Sequence, residues 1–507
     1  MSKWKKITLC IAGLVVISGS VAFYLWETGD LDMYVAMTAI NCGECHGNDL
    51  RGTELAPTLL DHELKYGDTV SQIIASITQR HDESNFDSEL TAQQIKGLSI
   101  YVAERRLGQR FTDFRFDRNI NISQEVIQSE QHQFRLEIVA ENLDPMAFSI
   151  EPMPDGTLLL TEKERGLSVI STDGKQSQLI KGTPQTGNSI DVMGIKYGTG
   201  WILDIAKHPD YKNNGWLYLH YTDLCPEGCV DSEPSSASMN RLDRGRIKDG
   251  EWVDVETIWQ ADKDWYTRGA DTGAGGRIAF DDSGHVYISV GIRGAYGPQD
   301  LNNPAGKIHR INDDGTVPAD NPFVLLAATS GEKIPFTQQT IWTYGHRSPQ
   351  GLEWNYRQQR AWNAEMGPRG GDEINELLPG RNYGWPNFSQ GLEYSGATVE
   401  RHKEKGLTFD SSTMQHTLVD ITPSPAISSF AFYYQDKFSN WKDNILLGSL
   451  KGSSLFRYVF EGNKVVHKET LIKDLARIRD VEIGYDGMIY LLLENKNGSK
   501  IVKLVPV

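Results

Sequence analysis

The sequence has little cysteine, a deficit of positive charge and almost no long apolar stretch. Five cysteines in 507 residues are too few to scaffold a fold by disulfides, so the chain has to rely on buried apolar cores. Lysine and arginine number 51 against 67 acids, for a formal charge of −16. That balance argues against nucleic acid as a partner, because phosphate recognition needs a basic face. What the chain does have is a globular composition, with 39% hydrophobic, 10% aromatic and 23% charged residues. Its 48 glycines and 20 prolines point to many turns and short strands rather than long helices. The length exceeds one ordinary core, so two or three domains are expected.

The single long apolar stretch carries information of its own. Lys3, Lys5 and Lys6 precede twenty uncharged residues, Ile7 to Trp26, and Glu27, Asp30 and Asp32 follow. Such a run is long enough to span a bilayer as a helix. The lysines stay cytoplasmic, so residues 1–30 are expected to form an inner-membrane anchor with everything beyond them in the periplasm. A cleaved signal peptide is the alternative, but the run is long for one and no small-x-small site follows it. The cysteines then divide by role. Cys10 sits in the span, while Cys225 and Cys229, in Cys-Pro-Glu-Gly-Cys, read as a loop disulfide of an oxidising compartment. A zinc site is the weaker reading there, since no third or fourth ligand is near.

The segment Cys42-Gly-Glu-Cys45-His46 has the spacing of covalent c-type haem attachment. Two thiols two residues apart reach both vinyl groups of one macrocycle, and the adjacent histidine lies under the iron. A redox-active Cys-x-x-Cys pair is the alternative. Gly47-Asn-Asp-Leu-Arg-Gly52, Pro57-Thr-Leu and a closing helix predicted over Thr91 to Arg106, with Ile95, Leu98 and Val102 at helical spacing, add to the motif. Together they resemble the small, all-α class I cytochrome c domain, placed here at residues 31–110. The resemblance implies haem c held by Cys42, Cys45 and His46. In that family a methionine before the last helix usually supplies the sixth ligand. Here no methionine occurs between Met37 and Met146, and the matching stretch reads Glu83-Ser-Asn-Phe86. His81 is the nearest strong donor, and ligation by two histidines would lower the haem potential relative to methionine. An open iron, with His81 a plain loop residue, is the other reading.

Residues 108–135 are polar and rich in glutamine, and a linker is placed at 111–135. From 136 to 507 the pattern changes to short strands broken by turns. Asp155-Gly-Thr-Leu, Asn214-Gly-Trp-Leu-Tyr, Ser283-Gly-His-Val-Tyr, Asn444-Ile-Leu-Leu and Asp486-Gly-Met-Ile-Tyr each read as a turn and an inner strand. With a further unit between Trp342 and Trp362, these loose repeats of four-strand size predict an all-β, six-bladed β-propeller. A large β-sandwich accommodates fewer such units. Propellers bind ligands where loops converge at one end of the channel, so the chemistry is expected in loops.

Several loops carry unusual combinations: Tyr344-Gly-His-Arg-Ser-Pro-Gln-Gly351, Glu365-Met-Gly-Pro-Arg-Gly-Gly-Asp-Glu-Ile-Asn375 and Pro379-Gly-Arg-Asn-Tyr-Gly-Trp-Pro386. Gly448-Ser-Leu-Lys-Gly452 and Arg477-Ile-Arg-Asp480 complete the set. On these motifs, nearly all of residues 140–505 resembles the soluble glucose/sorbosone dehydrogenase family, in particular its aldose sugar dehydrogenase branch, which uses pyrroloquinoline quinone (PQQ). The resemblance implies oxidation of an aldose or related alcohol with PQQ and Ca²⁺. Lys451, Arg477 and Arg479 match cofactor-binding positions, and arginines can pair the three PQQ carboxylates bidentately. Arg347 matches a residue near the quinone oxygens, Ser348 stands where asparagine is common, and Ser424 supplies a hydroxyl at a matching loop. Gly367 and Pro368 match main-chain carbonyls that hold Ca²⁺, whose Lewis acidity polarises the quinone. A further calcium site is implied near Asp372, Glu373 and Tyr383.

The sequence departs from the family at the reacting centre. The family's general base is a histidine, but the matching stretch reads Gly273-Ala-Gly-Gly-Arg277, and no histidine occurs between His220 and His285. Thr199 stands where a cofactor-contacting glutamine is usual, and Met366 where glutamine or histidine is usual. Three readings compete. Asp271 replaces the base, provided burial raises its affinity for a proton; another substrate class is oxidised by another base; or the propeller is a binding or sensory module beside the haem. The retained Lys451, Arg477 and Arg479 favour the first two. An anchored quinohaemoprotein dehydrogenase is therefore expected, passing electrons to haem c and on to a respiratory acceptor. Fusion raises the local concentration of donor near acceptor.

Overall fold

The computed structural model describes residues 33–61, 63–80, 90–109, 113–192, 195–225, 237–268, 271–293 and 297–507. The expected anchor, His81 and Cys229 lie outside the described residues. Among the described residues no helix is long and apolar enough to cross a membrane. Cys225 is disulfide-bonded, as expected for that loop. The chain divides into two compact units, residues 1–114 with 392–398, and residues 115–391 with 399–507.

The first unit is helical: α1 (Met33–Asn41), α2 (Gly43–His46), α3 (Val70–Arg80) and α4 (Ala92–Arg106). The start of α4 is fixed by a reciprocal cap, in which the Thr91 hydroxyl accepts from Gln94 N and Gln94 Oε1 accepts from Thr91 N. Ile95, Leu98 and Val102 are buried on one side of α4, as their spacing predicts. A Cβ on Gly97 would come within 1.9 Å of the Tyr34 ring, so only glycine lets α1 lay that ring on the backbone of α4. Tyr34, Leu50, Val70, Ile73, Leu98 and Ile100 make the core of this unit.

The second unit is a six-bladed β-propeller. Its inner strands are β1 (Ala147–Pro152), β2 (Ile202–Lys207), β3 (Gly275–Phe280), β4 (Ser348–Asn355), β5 (Ile427–Tyr433) and β6 (Arg477–Ile483). Each begins an antiparallel sheet, each touches the next, and β6 returns to β1. Blades stack face to face, so a central strand is covered on both sides; Leu158–Glu162 and Val286–Val290 are buried at every position.

A bulge recurs in all six inner strands, where pairing with the second strand shifts register. Bulges take residues out of the ladder and re-aim them. The neighbouring blade then supplies the acceptor. Ile150 N donates to Asp480 Oδ2 at 2.8 Å, Ile205 N to Ser149 Oγ at 3.3 Å, Ile278 N to Asp204 Oδ2 at 3.0 Å and Val481 N to Ser429 Oγ at 2.7 Å.

The last blade joins both ends of the propeller chain. Strands Ile127–Gln128 and Gln133–Leu143 lie beside Ser499–Pro506, with Phe134 opposite Pro506 and Leu136 opposite Leu504. Residues 115–135 are thus part of the propeller, which corrects the linker expected at 111–135. Arg115 pairs with Asp474 at 2.7 Å, Phe116 is buried, and Ile120, Ile122 and Ile127 pack on the last-blade core. Spaced apolar anchors in a polar context conceal this segment from a composition reading.

Phe134 is fully buried, edge-on to Phe438 and Trp441 at 6.2 and 5.8 Å. A Phe134→Ala substitution is expected to cost about 3–5 kcal/mol by leaving a cavity at the ring closure. Denaturant unfolding of the propeller measures it.

Candidate functional site

The sequence-predicted residues gather at the N-terminal ends of the inner strands. Arg477 opens β6 and Arg479 sits in its bulge, where the ladder shifts register between Ile478 and Asp480. Arg477 Nε donates to Glu494 Oε2 at 2.9 Å, and Arg479 Nη2 reaches both Glu494 oxygens at 3.0 and 3.1 Å. Lys163 Nζ lies 3.7 Å from Glu494 Oε1. Burial alone would raise the Glu494 carboxyl, but Arg479 and Arg477 hold it down at about 2. Burial, seconded by Arg479, pushes the Lys163 amine down to about 7. The cations stand on aromatic faces: Phe148 lies 5.4 Å from Lys163 and 5.5 Å from Arg479, Trp201 lies 4.9 Å from Lys163, and Phe116 lies 5.5 Å from Arg477.

A chain of polar contacts continues from there. Arg479 Nη1 donates to Gln350 Oε1 at 3.3 Å, and Gln350 Nε2 to Ser348 Oγ at 3.1 Å. Arg347 Nη1 donates to the carbonyls of Met366 and Gly367 at 3.2 and 3.0 Å, with its guanidinium 5.2 Å from the Trp385 ring. Gly367 N donates to Asp372 Oδ1 at 2.9 Å, and Asp372 also accepts from Ile427 N at 2.9 Å and from the Ser424 hydroxyl. Burial raises Asp372 to about 6. Lys451 is buried within the field of Asp372 and makes no hydrogen bond or ion pair with the described residues.

Arg347, Ser348, Ser424, Lys451, Arg477 and Arg479 therefore belong to one connected mouth. Its donor set suits a ligand with several carboxylates. Arg347 Nε and Arg479 Nε are buried without partners, and the Lys451 ammonium is unclaimed. Such orphaned donors cost free energy that an anionic ligand would recover. The Gly367 carbonyl already faces a cation, the Arg347 guanidinium, so a positive charge is at home there.

Three expectations are corrected. Asp271 is buried with both oxygens spent: Gly200 N donates to it at 2.8 Å, Ser238 Oγ at 2.7 Å, and the Thr222 hydroxyl and Arg293 Nη1 complete the shell. A carboxylate with four donors has no lone pair left for a substrate hydroxyl; Asp271 instead fixes the Thr199–Gly200 turn. Asp372 and Glu373 are consecutive on the strand Asp372–Glu376, so their side chains leave opposite faces and cannot share one ion. Glu373 meets Asn375 at 3.3 Å and lies beside Glu365, and burial with that like charge pushes it well above the usual carboxylate range. The Tyr383 hydroxyl donates to Glu376 O and accepts from Leu378 N, which ties the phenol to the main chain that follows the strand. Met366 contributes its carbonyl to Arg347 rather than a side-chain donor.

In the helical unit, the turn from α1 to α2 carries the thiol pair. Cys42 and Cys45 are free thiols, and burial pushes Cys42 up to about 11. His46 Nδ1 bonds to Pro57 O at 2.7 Å. That contact makes Nδ1 the protonated nitrogen and leaves Nε2 with its lone pair for a metal.

Sequence reasoning missed Lys163, Glu494, Gln350, Phe116 and Phe148. Each is an ordinary strand or loop residue in its own segment, and only the closed ring of blades brings them together.

A family model described as Glucose / Sorbosone dehydrogenase matches residues 144–503. The aldose sugar dehydrogenase YliI of Escherichia coli (strain K12) is 32% identical over 314 residues, spanning 61% of this chain and 78% of that protein. Quinoprotein glucose dehydrogenase B of Acinetobacter calcoaceticus is 28% identical over 418 residues, spanning 68% of this chain and 82% of that protein. The crystal structure of the soluble aldose sugar dehydrogenase of Escherichia coli in its apo-form matches with a TM-score of 0.62 at 28% identity, over 74% of this chain and 100% of that one. The family model and the propeller agree over the same residues, and the chain belongs to the glucose/sorbosone dehydrogenase family.

Proposed function

We propose that the protein is a membrane-anchored periplasmic quinohaemoprotein dehydrogenase, oxidising an aldose or related alcohol with PQQ and calcium and delivering electrons to covalent haem c and a respiratory acceptor. The observation that carries the reading is the mouth itself, where Lys163, Arg477 and Arg479 converge on Glu494 while buried guanidinium N–H groups lack partners. Bound PQQ would supply a two-electron acceptor, and calcium would polarise its carbonyl. Lys451, Arg477 and Arg479 are assigned to its carboxylates, Arg347 to the quinone side, and the Gly367 and Pro368 carbonyls to calcium. Phe148 and Trp201 wall the mouth and exclude water from the cations.

With Asp271 committed elsewhere, we assign the proton-accepting role to Lys163 Nζ. An amine pushed down to about 7 is half unprotonated near neutrality, which suits a general base. The Cys42 and Cys45 thiols, the His46 Nε2 lone pair and its Pro57 anchor support covalent haem in the helical unit. The charge pattern of the first 32 residues supports the anchor, and disulfide-bonded Cys225 suits an oxidising compartment.

The deciding experiment loads full-length protein with PQQ and calcium and follows haem absorbance as aldoses are added. Substrate-dependent haem reduction is expected; PQQ binding without reduction by any sugar or alcohol would favour a binding module, the alternative raised by the missing histidine. Arg479→Ala, with its carboxylate partner lost, should weaken PQQ binding about tenfold to a hundredfold, as for hydrogen bonds to charged groups; equilibrium titration of PQQ absorbance measures this. The Lys163 assignment carries a sign. Because the amine must be unprotonated to accept, kcat/KM should rise with pH through about 7. Lys163→Met should remove that rise and lower the rate about 10²–10⁴-fold while PQQ still binds. Cys42→Ala should leave haem held by one thioether, seen as a shifted pyridine haemochrome band, and an unshifted band would count against attachment.

A further inference from the structure

The opposite end of the inner strands holds a chamber of about 910 Å³. The mouth sits where these strands begin, at Ser348 and Arg477, whereas the chamber is reached towards their ends, at Lys207, Glu353 and Glu482. Its volume falls in the usual range of small-molecule sites. Five acids line it, Glu151, Asp155, Asp204, Glu353 and Glu482, against three cations, Lys207, Lys212 and Arg277.

The pairing is uneven. Glu151 accepts from the Lys207 ammonium. Asp204 and neighbouring Asp480 share the Arg277 guanidinium at 3.4 and 2.8 Å. Glu353 and Glu482 line the chamber, partly buried, and make no hydrogen bond or ion pair with the described residues. Burial first, then Asp204 and Asp480 beside Glu353 and Asp480 and Glu353 beside Glu482, holds both carboxyls well above the usual range. Two partly buried acids beside each other, with no hydrogen-bonded partner, repel unless a cation neutralises them.

The kind of partner follows from the walls. The described residues hold one group of three metal-ligating side chains within reach of a single ion, Glu130, His467 and Glu469, and it lies elsewhere. The chamber acids are therefore not gathered into a cage. Tyr356 and Tyr485 line the chamber beside them. Lys207 already shows how the walls treat an alkylammonium: its Nζ sits on Glu151 with the Tyr485 ring 5.4 Å away.

We propose that this chamber is a binding site for an organic cation of the alkyl-diamine class, with Glu353 and Glu482 as its counter-charges and the tyrosine rings as its apolar walls. The site is separate from the mouth and does not depend on the catalytic reading. The test is calorimetric titration of 1,4-diaminobutane into full-length protein at constant ionic strength, repeated on Glu353→Gln/Glu482→Gln. The substituted amides keep side-chain volume and remove two like charges, so the double variant should fold at least as stably. Saturable 1:1 binding is expected, weakened about tenfold or more in the double variant. On the parent protein alone, 1,4-diaminobutane should raise Tm progressively with the logarithm of its concentration above Kd, a readout that needs no variant. Absence of saturable binding, or binding undiminished in the double variant, overturns the proposal. Stoichiometric displacement of the diamine by calcium ions would overturn it in favour of a metal chamber.

Discussion

The propeller depends on a ring of hydrogen bonds between bulged inner-strand amides and side chains of the adjacent blade. Asp204, Asp480, Ser149 and Ser429 each accept a main-chain N–H across a blade junction. Two of these acceptors are carboxylates, and their charge is met by Arg277. That guanidinium pairs with both acids and donates its remaining N–H groups to Gln350 O at 2.9 Å and Arg479 O at 3.1 Å. One buried arginine thus ties β2, β3, β4 and β6 together. A buried ion network of this kind holds only while every member is satisfied; removing Arg277 would strand two acids beside the axis.

This knot of charge also partitions the channel. Towards the strand starts lie Lys163, Arg347, Lys451, Arg477 and Arg479, with Glu494 as the shared counter-charge of three of them. Towards the strand ends lie Glu151, Glu353 and Glu482. A chain of net charge −16 therefore builds one cationic mouth by sorting its charges along six strands rather than by excess of basic residues. The sorting uses the bulge of the strand, which brings Arg479 onto Glu494 beside Arg477. Aromatic rings under the cations lower the local dielectric and strengthen their hold on an anion.

Some of this was legible in the residues. The turn-and-strand units beginning at Asp155, Asn214, Ser283, Asn444 and Asp486 announce blades because strand alternation and turn chemistry are local properties. Cys42, Cys45 and His46 announce a site because their spacing lies on one turn. Ile95, Leu98 and Val102 announce the buried side of a helix by their period. The failures are of another kind. Residues 115–135 read as a linker because Phe116, Ile120 and Ile122 are too sparse to show a period, yet each meets a core built elsewhere. Asp271 reads as an available acid because nothing nearby in sequence reveals Thr222, Ser238 or Arg293 closing around it. Asp372 and Glu373 read as joint ligands until the strand sends them to opposite faces.

By itself, the sequence determined the kinds of element, the six-bladed count, the thiol–histidine motif and the family of the larger unit, since all are carried by short spans and fixed spacings. Only the tertiary structure decided which charges meet. Lys163 and Glu494 are separated by more than three hundred positions; burial between blades turns the one into a near-neutral amine, and the converging Arg479 and Arg477 hold the other as a firm anion. Proton affinity and hydrogen-bond supply are properties of surroundings, and the surroundings exist only after the ring has closed.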